Sequence, residues 1–272
     1  MTTGETSMPQ QSTDRAAPRP YILAETNWKE VSARGFEVAV LPWGATEAHN
    51  YHLPYATDVI QCDHIAAESA RLAWARGARV VVLPTVPFGV QTGQLDIPYC
   101  LNVNPSTQLA ILSDVLLSLA GNGVRKVLLL NGHGGNDFRA MFRELQPRVP
   151  QMLISTINWW TAIDAKRFFT EPGDHAGELE TSLIMHLAPE LALPLSEAGA
   201  GGERKPRVAG LRERWAWAPR RWTAISADTG VGDPRAASAE KGRVYFEAIT
   251  QQIGGFLVDL AAADLNDLYE DA

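Results

Sequence analysis

The sequence predicts an α/β protein: a three-layer α/β/α sandwich around a mostly parallel central sheet. Three observations carry this reading. Four short runs rich in Val, Ile or Leu each stop at or near Pro, Gly or Asn. Helical patterns separate the runs, and that alternation is the signature of a parallel sheet covered on both faces. The residues able to do chemistry gather just after the runs, where open α/β sheets place their ligands.

The four runs are Val38–Trp43 (VAVLPW), Val80–Val86 (VVVLPTV), Val127–Asn131 (VLLLN) and Met152–Asn158 (MLISTIN). They are continuously apolar rather than alternating, which fits strands buried on both faces. Between them, Ile60–Arg76 is Ala-rich and amphipathic. Asn104–Asn122 opens with Asn104 as a candidate cap and Pro105 at the first helical position. Asp137–Leu145 reads as a shorter helix, and Ala236–Leu265 as the helix that closes the domain. Gly199–Thr229 breaks the pattern. It sets Trp215, Trp217 and Trp222 among Arg and Pro residues and reads as a long irregular excursion: a packed surface loop, a subunit contact or an active-site cover. The polar, Pro-containing stretch 1–19 reads as a disordered leader, and 20–268 as one domain, without internal repeats.

The chain has 272 residues, 46% of them hydrophobic and 20% charged, enough for a sizeable core. Its formal net charge of -7 argues against nucleic acid or an anionic membrane as partner, since neither would gain by charge attraction. The two cysteines, Cys62 and Cys100, make no disulfide framework and read as reduced thiols in or near the core. No apolar run reaches the roughly 20 residues of a membrane span, and no signal peptide opens the chain. A cytoplasmic protein with a small-molecule substrate is the expectation.

The chemistry follows the strands. After the first comes Gly44-Ala-Thr-Glu47-Ala-His49, with His52 and Asp58 beyond; after the third comes Asn131-Gly-His133-Gly-Gly-Asn136; after the fourth, further on, comes Asp174-His175-Ala-Gly-Glu178-Leu-Glu180-Thr-Ser182. A hydrolytic di-metal site needs oxygen and imidazole ligands and a carboxylate able to bridge. Glu47 and His49, two apart in an extended strand-end loop, point the same way. Asp58 can return to the same spot, and His133 sits in a Gly-rich turn where backbone approaches closely. His175 and Glu178, three apart, share a face if both are helical, with Glu180 on the other side. His52 and His64 read as structural, and His186 as a helix-surface or subunit-contact histidine. Thr181 and Ser182 lack a nucleophile elbow.

The stretches LPWGATEAHNYHLPYATD, LLLNGHGGN, DHAGELETS and GDPRAASAEKG resemble the creatininase (creatinine amidohydrolase) family, from about Ile22 to the last helix. The resemblance implies a creatininase-like α/β/α domain, two divalent ions (zinc and/or manganese) and a homo-oligomer, usually a hexamer. It gives Glu47, Asp58 and His133 to one ion and His49 and Asp58 to the other, with Asp58 bridging. Creatininase proper takes its last ligand from a Glu two residues after the NGH histidine, where this chain has Gly135. Glu178 is the expected replacement, a stretch shared with a deformylase-like branch of the family, and Glu180 is the fallback.

The implied reaction is hydrolysis of a C–N bond in a cyclic amide or formamide by a hydroxide held between the ions. His175 would shuttle the proton, with Asp174 orienting it. Gly134 and Gly135 N–H groups would hold developing charge, and Trp159 and Trp160 would wall the pocket. Two other readings share the ligands: hydrolysis of a cyclic polyol ketone, with Gln91, Gln94 and Asp96 as candidate polar contacts, and a non-catalytic, metal-stabilised oligomeric binding protein.

Overall fold

The computed structural model describes residues 18–270. The expected leader therefore lies almost wholly outside the described residues. Within them the four runs form one parallel sheet: β1 (Val38–Trp43), β2 (Val80–Val82), β3 (Lys126–Asn131) and β4 (Leu153–Asn158), in the order β2-β1-β3-β4. The helices are α1 (Trp28–Ser32), α2 (Thr57–Ala75), α3 (Pro105–Gly121), α4 (Phe138–Leu145), α5 (Glu178–Leu187), α6 (Ala209–Arg212), α7 (Trp222–Ile225) and α8 (Ala239–Ala262).

Successive strand residues face opposite sides of the sheet, and each side has its own core. Val38, Val40, Leu128 and Leu130 pack with Ile65 of α2, Leu183 of α5 and Tyr245, Ile249 and Leu257 of α8. Ala39, Leu41, Val127 and Leu129 pack with Leu112 and Leu116 of α3 and with Phe138, Met141 and Leu145 of α4. The sheet is thus the middle of three layers, as the continuous apolar runs require.

β2 is shorter than the sequence suggests. It ends at Val82, because Pro84 cannot extend the ladder; Val86 rejoins only through an isolated bridge to Trp43. This early end accommodates Pro42 in β1: the missing N–H falls beyond the last β1–β2 pair, Val40–Val82, while its carbonyl accepts from Val86 N at 3.0 Å. α8 is trimmed at both ends relative to expectation. It starts after Ser238, whose hydroxyl accepts from Lys241 N at 3.2 Å. Asn104 takes the predicted cap position of α3 but makes no side-chain cap bond.

The excursion Gly199–Thr229 holds only the one-turn helices α6 and α7. Among the described residues, no helix is long and apolar enough to cross a membrane.

The chain goes outward from β1 to β2, then crosses back to β3 on β1's other side. The carboxyl ends of β1 and β3 therefore flank a topological switch point, where ligands bind in such sheets.

Candidate metal centre

Four segments meet at that switch point. The loop after β1 brings Glu47 and His49, both buried. The first turn of α2 brings Asp58, which is 1% exposed. Gly44 permits this close return: a Cβ there would stand 2.8 Å from Val59 N. The turn after β3 brings His133, and the segment entering α5 brings His175 and Glu180.

Ligand atoms of Glu47, Asp58 and His133 lie within 4.8 Å of one another, as do those of His49, Asp58 and Glu180 and those of Glu47, His49 and His175. His133 Nδ1 is 2.9 Å from Glu47 Oε1 and 3.1 Å from Asp58 Oδ2. His49 Nε2 is 3.1 Å from Asp58 Oδ1. Asp58 thus turns one oxygen to each histidine.

Each imidazole is oriented by a backbone carbonyl. His133 Nε2 lies 3.0 Å from Val90 O, His175 Nε2 2.9 Å from Ala48 O, and His49 Nδ1 3.2 Å from Glu47 O. With an N–H donated to each carbonyl, the other ring nitrogen turns inward, the arrangement that prepares histidine as a ligand. Glu47 is held in turn: its Oε2 accepts from Gln94 Nε2, and Cys100 Sγ donates to Gln94 Oε1 at 3.1 Å. The roles of Gln94 and Cys100 here were not legible in sequence, because they depend on how the loop after β2 folds back.

Electrostatics follow from burial against pairing. Burial opposes ionisation of Glu47, but His133 and His175 outweigh it and hold the carboxyl below its usual range. Asp58 is also held low: burial is overcome by His49 and His133. Burial disfavours the imidazolium of His49, yet Asp58 brings its pKa up to about 10. His133 is raised well above normal in the same way, chiefly by Glu47. Burial and then the charge of His49 lower His175 to about 4, so it is neutral near pH 7. Burial raises Glu180 to about 7.

Glu178 does not join the cluster. Its carboxylate is occupied by Lys241 Nζ and accepts from Thr170 N and Glu171 N, both at 3.0 Å. The physical reason is where α5 begins. The helix starts at Glu178, with Gly177 as its cap. His175 lies before it, in an isolated bridge with Val231, and Ala176 has φ 50°. The helical three-residue relation between His175 and Glu178 therefore never forms. Glu180, in the first turn, reaches back instead and accepts from Ala176 N.

Asp174 does not orient His175 either; it pairs with Arg220 at 2.5 Å. Two rings lie against His175: the imidazole of His49, stacked with centroids 4.2 Å apart, and the indole of Trp222, at 4.7 Å. Trp159 and Trp160 do line the cavity beside the cluster, about 240 Å³ in volume, with Gly134 and Gly135. Gln91 binds Thr46 O, and Asp96 accepts from Thr223; neither lines this cavity. His52 is buried against Thr181 Oγ1 at 3.0 Å, while His186 packs against Phe246.

The donors suit divalent cations: three carboxylates with imidazoles, all converging. Asp58 Oδ2 is buried without a hydrogen-bond partner, although His133 Nδ1 lies 3.1 Å away. Such an orphaned carboxylate oxygen is expensive to bury unless a cation takes it.

A family model described as creatinine amidohydrolase matches residues 24–257. The creatinine amidohydrolase of Pseudomonas putida is 27% identical over 194 residues, covering 62% of this chain and 73% of that protein. The mycofactocin precursor peptide peptidase of Mycobacterium tuberculosis (strain CDC 1551 / Oshkosh) is 29% identical over 222 residues, 77% of this chain and 80% of that one. The crystal structure of a creatinine amidohydrolase-like protein of Bacteroides fragilis NCTC 9343 superposes with a TM-score of 0.87 at 44% identity, covering 92% of this chain and 99% of that one. The family match runs through all four strands and takes in every residue of the cluster, and so this chain belongs to the creatininase family of amidohydrolases.

Proposed function

We propose that the protein hydrolyses a C–N bond of a cyclic amide or formamide at a centre of two divalent ions, zinc or manganese. One observation carries the reading: Asp58 belongs to two ligand groups at once, with Oδ1 toward His49 and Oδ2 toward His133. Glu47, Asp58 and His133 would hold one ion. His49, Asp58 and Glu180 would hold the other, with Glu180 taking the place expected of Glu178. When bound, the ions supply the Lewis acidity that polarises a carbonyl and makes water nucleophilic near neutral pH.

The chain's own groups do the rest. His175 Nδ1 faces the cluster, 3.8 Å from Glu47 Oε1, and its Nε2 is committed to Ala48 O. A neutral imidazole so fixed takes a proton at Nδ1 and returns it to the leaving nitrogen. Trp222 covers His175, and Trp159 and Trp160 line the cavity, which limits water around the reacting groups. The named relatives support the bond class, since an amidohydrolase and a peptidase both break an acyl C–N bond. The working unit is a homo-oligomer, a hexamer by family resemblance. Trp28 and Tyr99, 88% and 83% exposed, offer apolar surface for subunit contact.

Elemental analysis tests the ligand set. Two ions per chain are expected in the wild type, none in Asp58→Ala, one in Glu180→Gln and two in Glu178→Gln. Full metal content in Asp58→Ala would overturn the bridging assignment. The bond class is tested by turnover of the zinc- and manganese-loaded protein on cyclic amides, formamides and cyclic polyol ketones. Turnover of the ketones alone would replace C–N with C–C cleavage.

A further inference from the structure

A second cavity, about 680 Å³, lies beside the metal centre. It shares His133, Gly134, Gly135, Arg220 and Trp222 with the first. The turn Gly134-Gly135 separates the two, and it carries no side chain to close the passage. A Cβ on Gly134 would meet nothing within 4 Å, so the space beside it is open. A Cβ on Gly135 would stand 2.2 Å from Val90 O and 2.4 Å from His133 Nε2, so that position admits no side chain without backbone movement. Arg220 and Trp222 border both cavities from the other side. Their segment is fixed there, because Trp222 N donates to Gly93 O at 3.0 Å.

The lining of the second cavity sets the chemistry of its occupant. Pro105, Leu109, Met141 and Trp217 give it apolar walls, and Asp137 and Glu144 are acidic. Among the described residues, Arg220 is the only Lys or Arg that lines it, already paired with Asp174, and the imidazole of His133 belongs to the metal centre. An anionic group finds no unpaired Lys or Arg there among the described residues, whereas a neutral apolar chain gains by burial.

We infer that the two cavities form one extended substrate cleft, in which the second cavity holds a neutral apolar acyl arm of the substrate. The direction rests on the hydrolytic reading above. His175 borders only the first cavity. The leaving nitrogen that it protonates lies on that side, and the acyl side then passes over Gly134-Gly135. Among cyclic amides, the preferred substrates are those that carry a long apolar substituent on the acyl side.

Alkyl hydroxamates, which chelate metal through an amide-like head, test this without requiring turnover. Acetohydroxamate and octanohydroxamate are titrated into zinc-loaded protein by calorimetry, and the five methionines are labelled with ¹³C at the methyl group. Octanohydroxamate is expected to bind roughly tenfold tighter or more, from burial of its methylenes, and to shift the Met141 signal, which acetohydroxamate leaves in place. Ala140→Trp, on the exposed face of α4 that borders the cavity, should bring the affinity ratio near one. Equal affinities, or a Met141 signal that octanohydroxamate does not move, would overturn the cleft. If octanohydroxamate shifts Met141 while acetohydroxamate shows no affinity, the cleft stands and the metal-centre reading falls instead.

Discussion

Gly135 stands where the resemblance to creatininase implies a ligand glutamate, and the structure shows why no side chain is accommodated there. A Cβ there would press on Val90 O and on the ring of His133. His133 gives that same carbonyl its orienting hydrogen bond. Gly135→Ala should therefore lower stability by about 1–3 kcal/mol, the usual cost of overpacking, read from denaturant melts. Gly135→Glu in a Glu180→Gln background should not restore the lost ion. Full metal content in that double variant would show that the turn can yield. Charge at the same cluster has a second consequence. His49 and His133 are held above their ordinary pKa by Asp58 and Glu47, so both carry a proton near pH 7 in the metal-free protein. Metal uptake must displace those protons, and metal affinity should rise with pH. Calorimetry in buffers of different ionisation enthalpy should show net proton release at pH 7; an enthalpy independent of buffer would contradict it. The residues themselves were mostly legible in sequence. Glu47, His49, Asp58 and His133 could be picked out because chemistry and strand ends coincide there. Spacing pointed to Glu178 over Glu180, whereas the structure brings Glu180 to the cluster, because the choice depends on the first residue of a helix.

Elements were legible where pattern and punctuation agreed. The strand runs ended near their Pro, Gly or Asn residues, and α2, α3 and α4 lie within a few residues of where the sequence puts them. β2 shows the limit. Its apolar run continues to Val86, but Pro84 interrupts the ladder, and composition alone did not weigh that break. α5 shows another. A helical spacing was read through His175-Ala-Gly-Glu178, although Gly177 marks the true boundary. α8 starts three residues beyond the expected Ala236, at a serine cap. Ser238→Ala should cost about 1 kcal/mol, measured as a shift in unfolding midpoint with an unchanged denaturant slope. The effect should be confined to stability, since Ser238 lies outside the ligand groups.

For the molecule as a whole, strand order decides where the site can be. Only the crossing from β2 back to β3 places the loop after β1 next to the turn after β3. The sequence supplies the alternation that makes such a sheet, but not the order of its strands, so the convergence of the ligand segments had to be read from the fold. The irregular excursion was read as a packed surface loop, a subunit contact or an active-site cover, without a choice among them. Its Trp222 meets His175 through contacts between segments far apart in the chain, and no local pattern announces that. Removing the ions tests the molecule at this scale. Chelation should abolish turnover and lower the melting temperature together, because ions that bind only the folded state stabilise it in proportion to the logarithm of their concentration. A lower melting temperature with turnover intact would mean that the ions are structural.

The shared carboxylate Asp58 and its two flanking imidazoles also determine what the fold does before any ion arrives. The candidate ligands span about half the chain, from Glu47 to Glu180, so the complete site does not exist in an unfolded polypeptide. Three buried carboxylates brought together would repel, but the imidazolium protons of His49 and His133 serve as internal counterions. The nascent protein can thus complete its core first and exchange protons for metal afterwards. On the proposed di-metal reading, loading then becomes a step of the finished fold.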